Sequence, residues 1–238
     1  NDPQSSGTGE SLSFSYNLQT DARYEWNYKS CDEHNNCRFK ESNHTITLDT
    51  TNPEIEILEP IQNHHYNQTP RLLYYVSEEN IHECEYFDNS GSFDSGICLT
   101  PYTGLRIYEG LNNWTVKLED KAGNKNYTSA YFYYDSTKPV IDFDSAGTEP
   151  DHTNKSSDSI TAQVSVEEVN EKNLTFKLFK NNNLVNLTTY KNKQRSITWK
   201  NLEDGIYTYK AQVNDLAGNI GKTNIRTITL DSTNPEIT

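Results

Sequence analysis

The sequence predicts an all-β protein made of tandem antiparallel β-sandwiches, and three observations carry that expectation. A pentapeptide occurs three times, as Asp49-Thr50-Thr51-Asn52-Pro53, Asp135-Ser136-Thr137-Lys138-Pro139 and Asp231-Ser232-Thr233-Asn234-Pro235, with prolines 86 and 96 residues apart. That interval is the length of one small sandwich, roughly 100 residues. Apolar residues alternate with period two along many short runs, and no segment of ten or more residues keeps a helical stripe. Turn-forming Gly, Asn and Asp separate the runs.

Taken in order, each pentapeptide follows a β-rich run: Thr45-Ile46-Thr47-Leu48, Tyr131-Phe132-Tyr133-Tyr134 and Thr227-Ile228-Thr229-Leu230. The first of them opens an alternating start, Pro53-Glu54-Ile55-Glu56-Ile57. The middle unit is expected to carry strands at Leu72 to Val76, Glu83 to Phe87, Leu105 to Tyr108, Trp114 to Leu118 and Ala130 to Tyr134, with turns at Asp88-Asn89-Ser90-Gly91 and Glu109-Gly110. In the last unit, period two marks Ile160 to Val166, Leu174 to Phe179 and Ile206 to Val213, with a turn at Asn181-Asn182-Asn183. A second repeat lies 15 to 17 residues before each punctuation Asp: Asp120-Lys121-Ala122-Gly123-Asn124, Asp215-Leu216-Ala217-Gly218-Asn219 and the degenerate Asp32-Glu33-His34-Asn35-Asn36. Where the degenerate copy lacks Gly it has Asn35, the other residue that readily takes positive φ, so the turn geometry is expected to be kept.

Composition narrows the function classes. A net charge of −13 argues against nucleic acid, which requires a basic face. No apolar run approaches the ~18 residues of a membrane-spanning helix. With 33% hydrophobic residues, sixteen Tyr, three Trp and eight Phe, the cores are expected to be thin and aromatic. Four Cys allow three pairings; the local pairs Cys31 with Cys37 and Cys84 with Cys98 are expected, in an oxidising compartment, and the absence of CxxC spacing argues against zinc.

The run Tyr207-x-Tyr209-x-Ala211-x-Val213, the turn Asp215-x-Ala217-Gly218-Asn219 and the closing Asp231-Ser232-Thr233-Asn234-Pro235 resemble the end of the Ig-like repeats of archaeal and bacterial cell-surface proteins and adhesins. The approach Leu202-Glu203-Asp204-Gly205 and the strand Glu83-Cys84-Glu85-Tyr86 fit the same resemblance. It implies tandem Ig-like sandwiches: residues 51–137 and 138–233 as complete domains, 1–50 as the C-terminal half of another, and 234–238 as the start of a further unit or a tail. Superposing Asp32 on Asp215 leaves the first unit only its last three strands, marginal alone. Either sequence outside this segment or strand addition by another chain is expected to complete it.

Several candidate sites follow. Calcium at the domain junctions would use Asp49, Glu78, Glu79 and Asp120 before the middle unit, and Asp135, Glu167, Glu168 and Asp215 before the last, since clustered carboxylates suit a hard cation. The stronger reading is that these Asp accept backbone N–H groups two residues on. Seven N-x-[ST] sequons, at Asn43, Asn67, Asn113, Asn126, Asn154, Asn173 and Asn186, are candidate glycosylation sites, although 28 Asn in a chain with 45 Ser or Thr among 238 residues give about five by chance. Alternation with Trp114 puts Asn113 on the outer face. Of the consecutive Tyr131 to Tyr134, two must face outward, so Tyr131 and Tyr133 are candidates for binding a carbohydrate or a protein.

No enzyme is expected: there is no Gly-rich phosphate loop, no G-x-S-x-G and no H-E-x-x-H, and the neighbours His64 and His65 would face opposite sides of a strand. The acidic pairs Glu78-Glu79 and Glu167-Glu168 recur at equivalent positions in successive units, which fits a scaffold better than one active site. The expected role is an extracellular stalk, spacer, lattice or filament segment of a cell-surface protein. Its partners would be other domains of a longer chain, identical subunits or a surface ligand.

Overall fold

The computed structural model describes residues 13, 15–91, 93–98 and 100–234, and among them every regular element is a β-strand. The first unit holds β1 (Ala22–Trp26), β2 (Lys29–Cys31), β3 (Cys37–Phe39) and β4 (His44–Leu48). β1 pairs antiparallel with β4, and β2 with β3 places Cys31 opposite Cys37, where a disulfide closes the hairpin. Of the three strands expected here, the two arms of this hairpin form. Residues 15–19 join no ladder, and the expected start near Ser11 lies outside the described residues.

The middle unit is a sandwich. One layer pairs β5 (Glu54–Glu59) with β7 (Leu73–Ser77), extended by a bridge from Leu72 to Tyr102. The other has the order β6-β11-β10-β8-β9, from β6 (His65–Tyr66), β8 (Ile81–Phe87), β9 (Phe93–Gly96), β10 (Gly110–Asp120) and β11 (Lys125–Tyr134). β6 pairs parallel with β11, so the first strand of the unit crosses from one layer to the other. Period two is plain along β10, where Asn112, Trp114, Val116, Leu118 and Asp120 are all buried. Trp114, Val116 and Leu118 meet Leu72, Tyr74, Cys84, Tyr86 and Phe132 in one core, and Cys98, disulfide-bonded to Cys84, packs against it.

The last unit repeats the plan with longer strands. β12 (Val140–Phe143), β14 (Ile160–Glu167) and β17 (Ser196–Trp199) form one layer. The second has the order β13-β20-β18-β15-β16, from β13 (Thr153–Lys155), β15 (Glu171–Lys180), β16 (Asn183–Tyr190), β18 (Gly205–Asp215) and β20 (Arg226–Leu230), with β19 (Ile220–Lys222) on β18. The turn joining β15 to β16 holds Asn181 and Asn182 at φ of 50° and 66°, the left-handed region a two-residue hairpin needs and Asn tolerates.

One expected strand is absent. Leu105 to Tyr108 joins no ladder, although Leu105 and Ile107 pack on the core as alternation required. Side chains take its backbone groups: Asp88 accepts from Arg106 N–H, Asn112 bonds Tyr108 at both N–H and C=O, and Trp114 Nε1 donates to the Arg106 carbonyl. Satisfied in this way, the segment has no need of a partner strand.

The first unit differs from the others in burial. Tyr24 pairs with Ile46 as Tyr207 pairs with Ile228. Yet Trp26 is 43% exposed where the equivalent Tyr209 is 0%, and Ile46 is 52% where Ile228 is 0%. No described residue before Pro53 is buried. The hairpin has the strand chemistry of a core but, among the described residues, no second layer over it.

Candidate functional site

The repeated pentapeptide forms the most highly constructed feature of the chain. In each copy the leading Asp accepts the N–H two residues on, at 3.1 Å: Asp49 from Thr51, Asp135 from Thr137 and Asp231 from Thr233. This closes an Asx turn that bends the chain out of one sandwich.

An acid at the start of the penultimate long strand of the unit just ended grips the same turn. Asp21 accepts from Thr50 N–H at 3.0 Å, from Thr50 Oγ1 at 2.8 Å and from Thr51 Oγ1 at 2.7 Å. Asp204 does the same with Ser232 N–H at 2.9 Å, Ser232 Oγ at 2.7 Å and Thr233 Oγ1 at 2.9 Å. Glu109 takes that place in the middle unit, accepting from the N–H and hydroxyl of Ser136. The hydroxyl of Thr51 and then the Thr50 groups hold the Asp21 carboxyl below its ordinary value, and the Ser232 hydroxyl and N–H do so for Asp204. Sequence reasoning missed these three acids. Their signal was there: Asp21, Glu109 and Asp204 lie 28, 26 and 27 residues before their punctuation Asp.

The unit that follows grips the linker from the other side. Asp120 is 1% exposed and its Oδ1 accepts from the N–H groups of Ala122 and Asn124, while Asn124 Nδ2 donates both to Asp120 Oδ2 at 2.9 Å and to the Asp49 carbonyl at 3.1 Å. Asn219 repeats this, donating to Asp215 Oδ2 at 2.8 Å and to the Asp135 carbonyl at 2.7 Å. Burial pushes the Asp120 carboxyl up, but the bonds from Asn124, Ala122 and Gly123 outweigh it and leave the group below its ordinary range. The tight turn depends on Gly123 and Gly218 at φ of 93° and 92°. Asn35, at φ 62°, builds the same turn in the first unit, with Asp32 accepting from His34 and Asn36.

A further linker contact sits three residues past each turn glycine. Asn126 Nδ2 donates to the Pro53 carbonyl at 2.9 Å. In the last unit Gly221 occupies that position, and a Cβ there would lie 2.2 Å from the Pro139 oxygen. The chain enters each sandwich against this site, by a side-chain bond in one unit and by close backbone approach in the other.

The carboxylates proposed for calcium take up separate duties in this arrangement. Asp49 and Asp135 present backbone carbonyls to the following unit while their side chains cap their own turns. Glu78 accepts from Asn80 N–H and Glu168 from Asn170 N–H, each at 2.6 Å. Asn80 and Asn170 in turn accept from Lys121 and Leu216. This register makes Glu78 equivalent to Glu168, so the acidic pairs are offset by one residue and Glu79 matches Val169. Asp135, Glu167 and Glu168 line one cleft together with Lys138, and Asp215 is not part of it. Among the described residues no three His, Cys, Asp or Glu come together as a metal site.

The remaining candidates lie elsewhere. Asn43, Asn67 and Asn154 are exposed, whereas Asn113, Asn126, Asn173 and Asn186 are half-buried. Asn186 is built into the fold, its Oδ1 accepting from Trp199 Nε1 at 3.0 Å. Tyr131 and Tyr133 face outward at 43% and 37% exposure, and Tyr133 stacks on His65 with ring centroids 4.5 Å apart. His64 instead packs edge-on against Tyr66, so the two histidines do not converge.

No curated protein matches the chain. Among solved structures, the fibronectin(III)-like modules of Clostridium thermocellum CbhA match at 10% identity over 74% of this chain and 93% of theirs, with a TM-score of 0.44. A run of titin domains matches at 9% identity over 86% and 73%, with a TM-score of 0.47. A tetra-tandem repeat from the extending region of a large adhesion protein matches at 14% identity over 89% and 57%, with a TM-score of 0.32. Residues 137–232, which span the last of the tandem β-sandwiches, match the family model described as a bacterial Ig-like domain.

Proposed function

We propose that this segment is a non-enzymatic spacer of a cell-surface protein whose reach comes from linkers held rigid by hydrogen bonds. The observation that carries the reading is the double grip on each described junction. One unit holds the hydroxyl and N–H groups of the pentapeptide through Asp21 or Glu109, and the next holds its Asp carbonyl through Asn124 or Asn219. A linker tied at both ends has few torsions left to bend, so the array keeps its length without an added cation. The two disulfides support an oxidising, extracellular setting.

Small-angle scattering tests the reading. The chain is expected to scatter as an extended particle of fixed dimensions, unchanged between EDTA and millimolar calcium, and to become flexible when Asn124 and Asn219 are both replaced by Ala. A chain that bends freely before the substitutions, or stiffens only with calcium, refutes it. A second reading, adhesion through Tyr131 and Tyr133, is favoured by their exposure beside the stacked His65. It requires saturable binding on a glycan array or in a pull-down that the Tyr131→Ala, Tyr133→Ala double variant loses.

A further inference from the structure

Charge is segregated along this chain. Residues 171–200 carry seven Lys or Arg and one acidic residue, while residues 51–137 carry thirteen Asp or Glu against five Lys or Arg, in a chain of net charge −13. Within the basic stretch Arg195 is paired with Glu171 and Lys180 with Glu203. Lys172, Lys191, Lys193 and Lys200 are exposed with no carboxylate within 4.0 Å among the described residues.

Lys191 and Lys193 follow directly on, and Lys172 lies near the same end of, a strand that is weakly guarded for a sheet edge. Among the described residues β16 ends its sheet and pairs only with β15. It has eight residues, no charge and no Pro, and Leu184, Val185 and Leu187 are 52%, 51% and 54% exposed. Natural edges are normally short, bulged or charged, because an open apolar edge invites another chain; β16 has one bulge, at Val185 between the Leu178–Asn186 and Phe179–Leu184 pairs, but neither charge nor short length guards it. The contrast within this chain is β5, also an edge of its layer, which bears Glu54, Glu56 and Glu59.

The acidic counterpart has matching chemistry. Glu54 and Glu56 are exposed with no basic partner within 4.0 Å among the described residues, and they border a groove completed by Ile55, Tyr75 and Asn126. Tyr75, directly opposite Glu56 in the ladder, is 57% exposed and gives that groove an apolar wall. We infer that the β16 surface of one copy docks on the Glu54, Glu56 and Tyr75 groove of a second copy, lysines against carboxylates and the exposed Leu and Val against Tyr75. The apolar strand at the centre favours this occupant over a polysaccharide anion, which would satisfy the lysines and leave Leu184 and Leu187 in water. Two different patches are joined, so the contact is heterologous and repeats into an open assembly.

Sedimentation of the whole chain at low and high salt tests this. The wild type is expected to associate at low ionic strength and to dissociate as salt screens the contact. Lys191→Glu with Lys193→Glu, or Glu54→Lys with Glu56→Lys, should each weaken association by roughly tenfold or more, while the circular dichroism stays that of the wild type. Mixing the two variants should restore it, because each still carries the patch the other lost. A wild type that is monomeric at every salt concentration, including one that is retained by an anionic polysaccharide, overturns the inference. So does association that either charge reversal leaves intact.

Discussion

Replacing Asn219 by Ala tests the clamp where it is most buried. Asn219 is 8% exposed, and its Nδ2 donates to Asp215 Oδ2 at 2.8 Å and to the Asp135 carbonyl at 2.7 Å. Asp215 is 0% exposed, so the lost donor leaves a buried carboxylate short of a partner. A hydrogen bond to a charged group is worth about 1.5–3 kcal/mol and one to a neutral carbonyl about 0.5–1.5 kcal/mol, which puts the loss near 3 kcal/mol. For a domain of this size that corresponds to a fall in Tm of roughly 12–24 °C. The assay is calorimetry of the whole chain, in which the last unit's transition should move while the middle unit's stays. Asn219→Asp keeps the shape and sets a second carboxylate against Asp215. It should be less stable than Asn219→Ala at neutral pH and recover as pH falls, because the shared proton raises one carboxyl pKa in the folded state and that stability is present only at lower pH. A Tm for Asn219→Ala within about 2 °C of the wild type would refute the reasoning, since a single well-made bond is already worth more than that shift.

Three further outcomes are expected. Gly221→Ala drives a methyl group toward the Pro139 oxygen, so the last unit should lose about 1–3 kcal/mol by thermal denaturation, and the angle between the last two units should shift in scattering. Asp21 and Asp204 have carboxyls held below the ordinary Asp value of 3.8, so their hold on the linkers is complete above that value and is lost as pH falls through the lower folded values; scattering should show flexibility appearing only in strong acid. Removing the Cys84–Cys98 bridge, which spans 14 residues, with a Cys84→Ala, Cys98→Ala variant should cost the middle unit about 3 kcal/mol in a denaturant titration.

Much of this architecture was legible because each signal was local. Alternation placed the arms of β10, β14, β15 and β18, and Asn35 was readable as a stand-in for glycine because positive φ limits the choice of residue. Leu105 to Tyr108 misled because alternation reports which side chains reach a core, not where the backbone groups are satisfied, and here Asp88 and Asn112 satisfy them. The acids Asp21, Glu109 and Asp204 were overlooked for a related reason. Their partners are 27 to 30 residues away, and nothing short of the folded hairpin brings a strand start beside the linker that follows the next strand.

The spelling of the pentapeptide now has a physical reading position by position. The first residue must offer a side-chain acceptor for the turn and a backbone carbonyl for the next unit, which suits Asp and bars Pro after it, because the second residue gives its N–H to an acid. The second is Thr50, Ser136 or Ser232, each supplying that N–H and a hydroxyl to the same carboxylate. The third is always Thr; its N–H closes the Asx turn, and in Thr51 and Thr233 its hydroxyl adds a bond that Thr137 does not make to Glu109. At Pro53 and Pro139, proline fixes φ where the new strand begins and gives up an N–H that no ladder uses there, while the Pro53 carbonyl is taken by Asn126. Exchanging Ser136 for Ala in the second position removes one hydroxyl from Glu109 and keeps every backbone bond. It should therefore loosen only the junction between the middle and last units, and Ser136→Pro should loosen it further by removing the N–H donated to Glu109 as well as the hydroxyl.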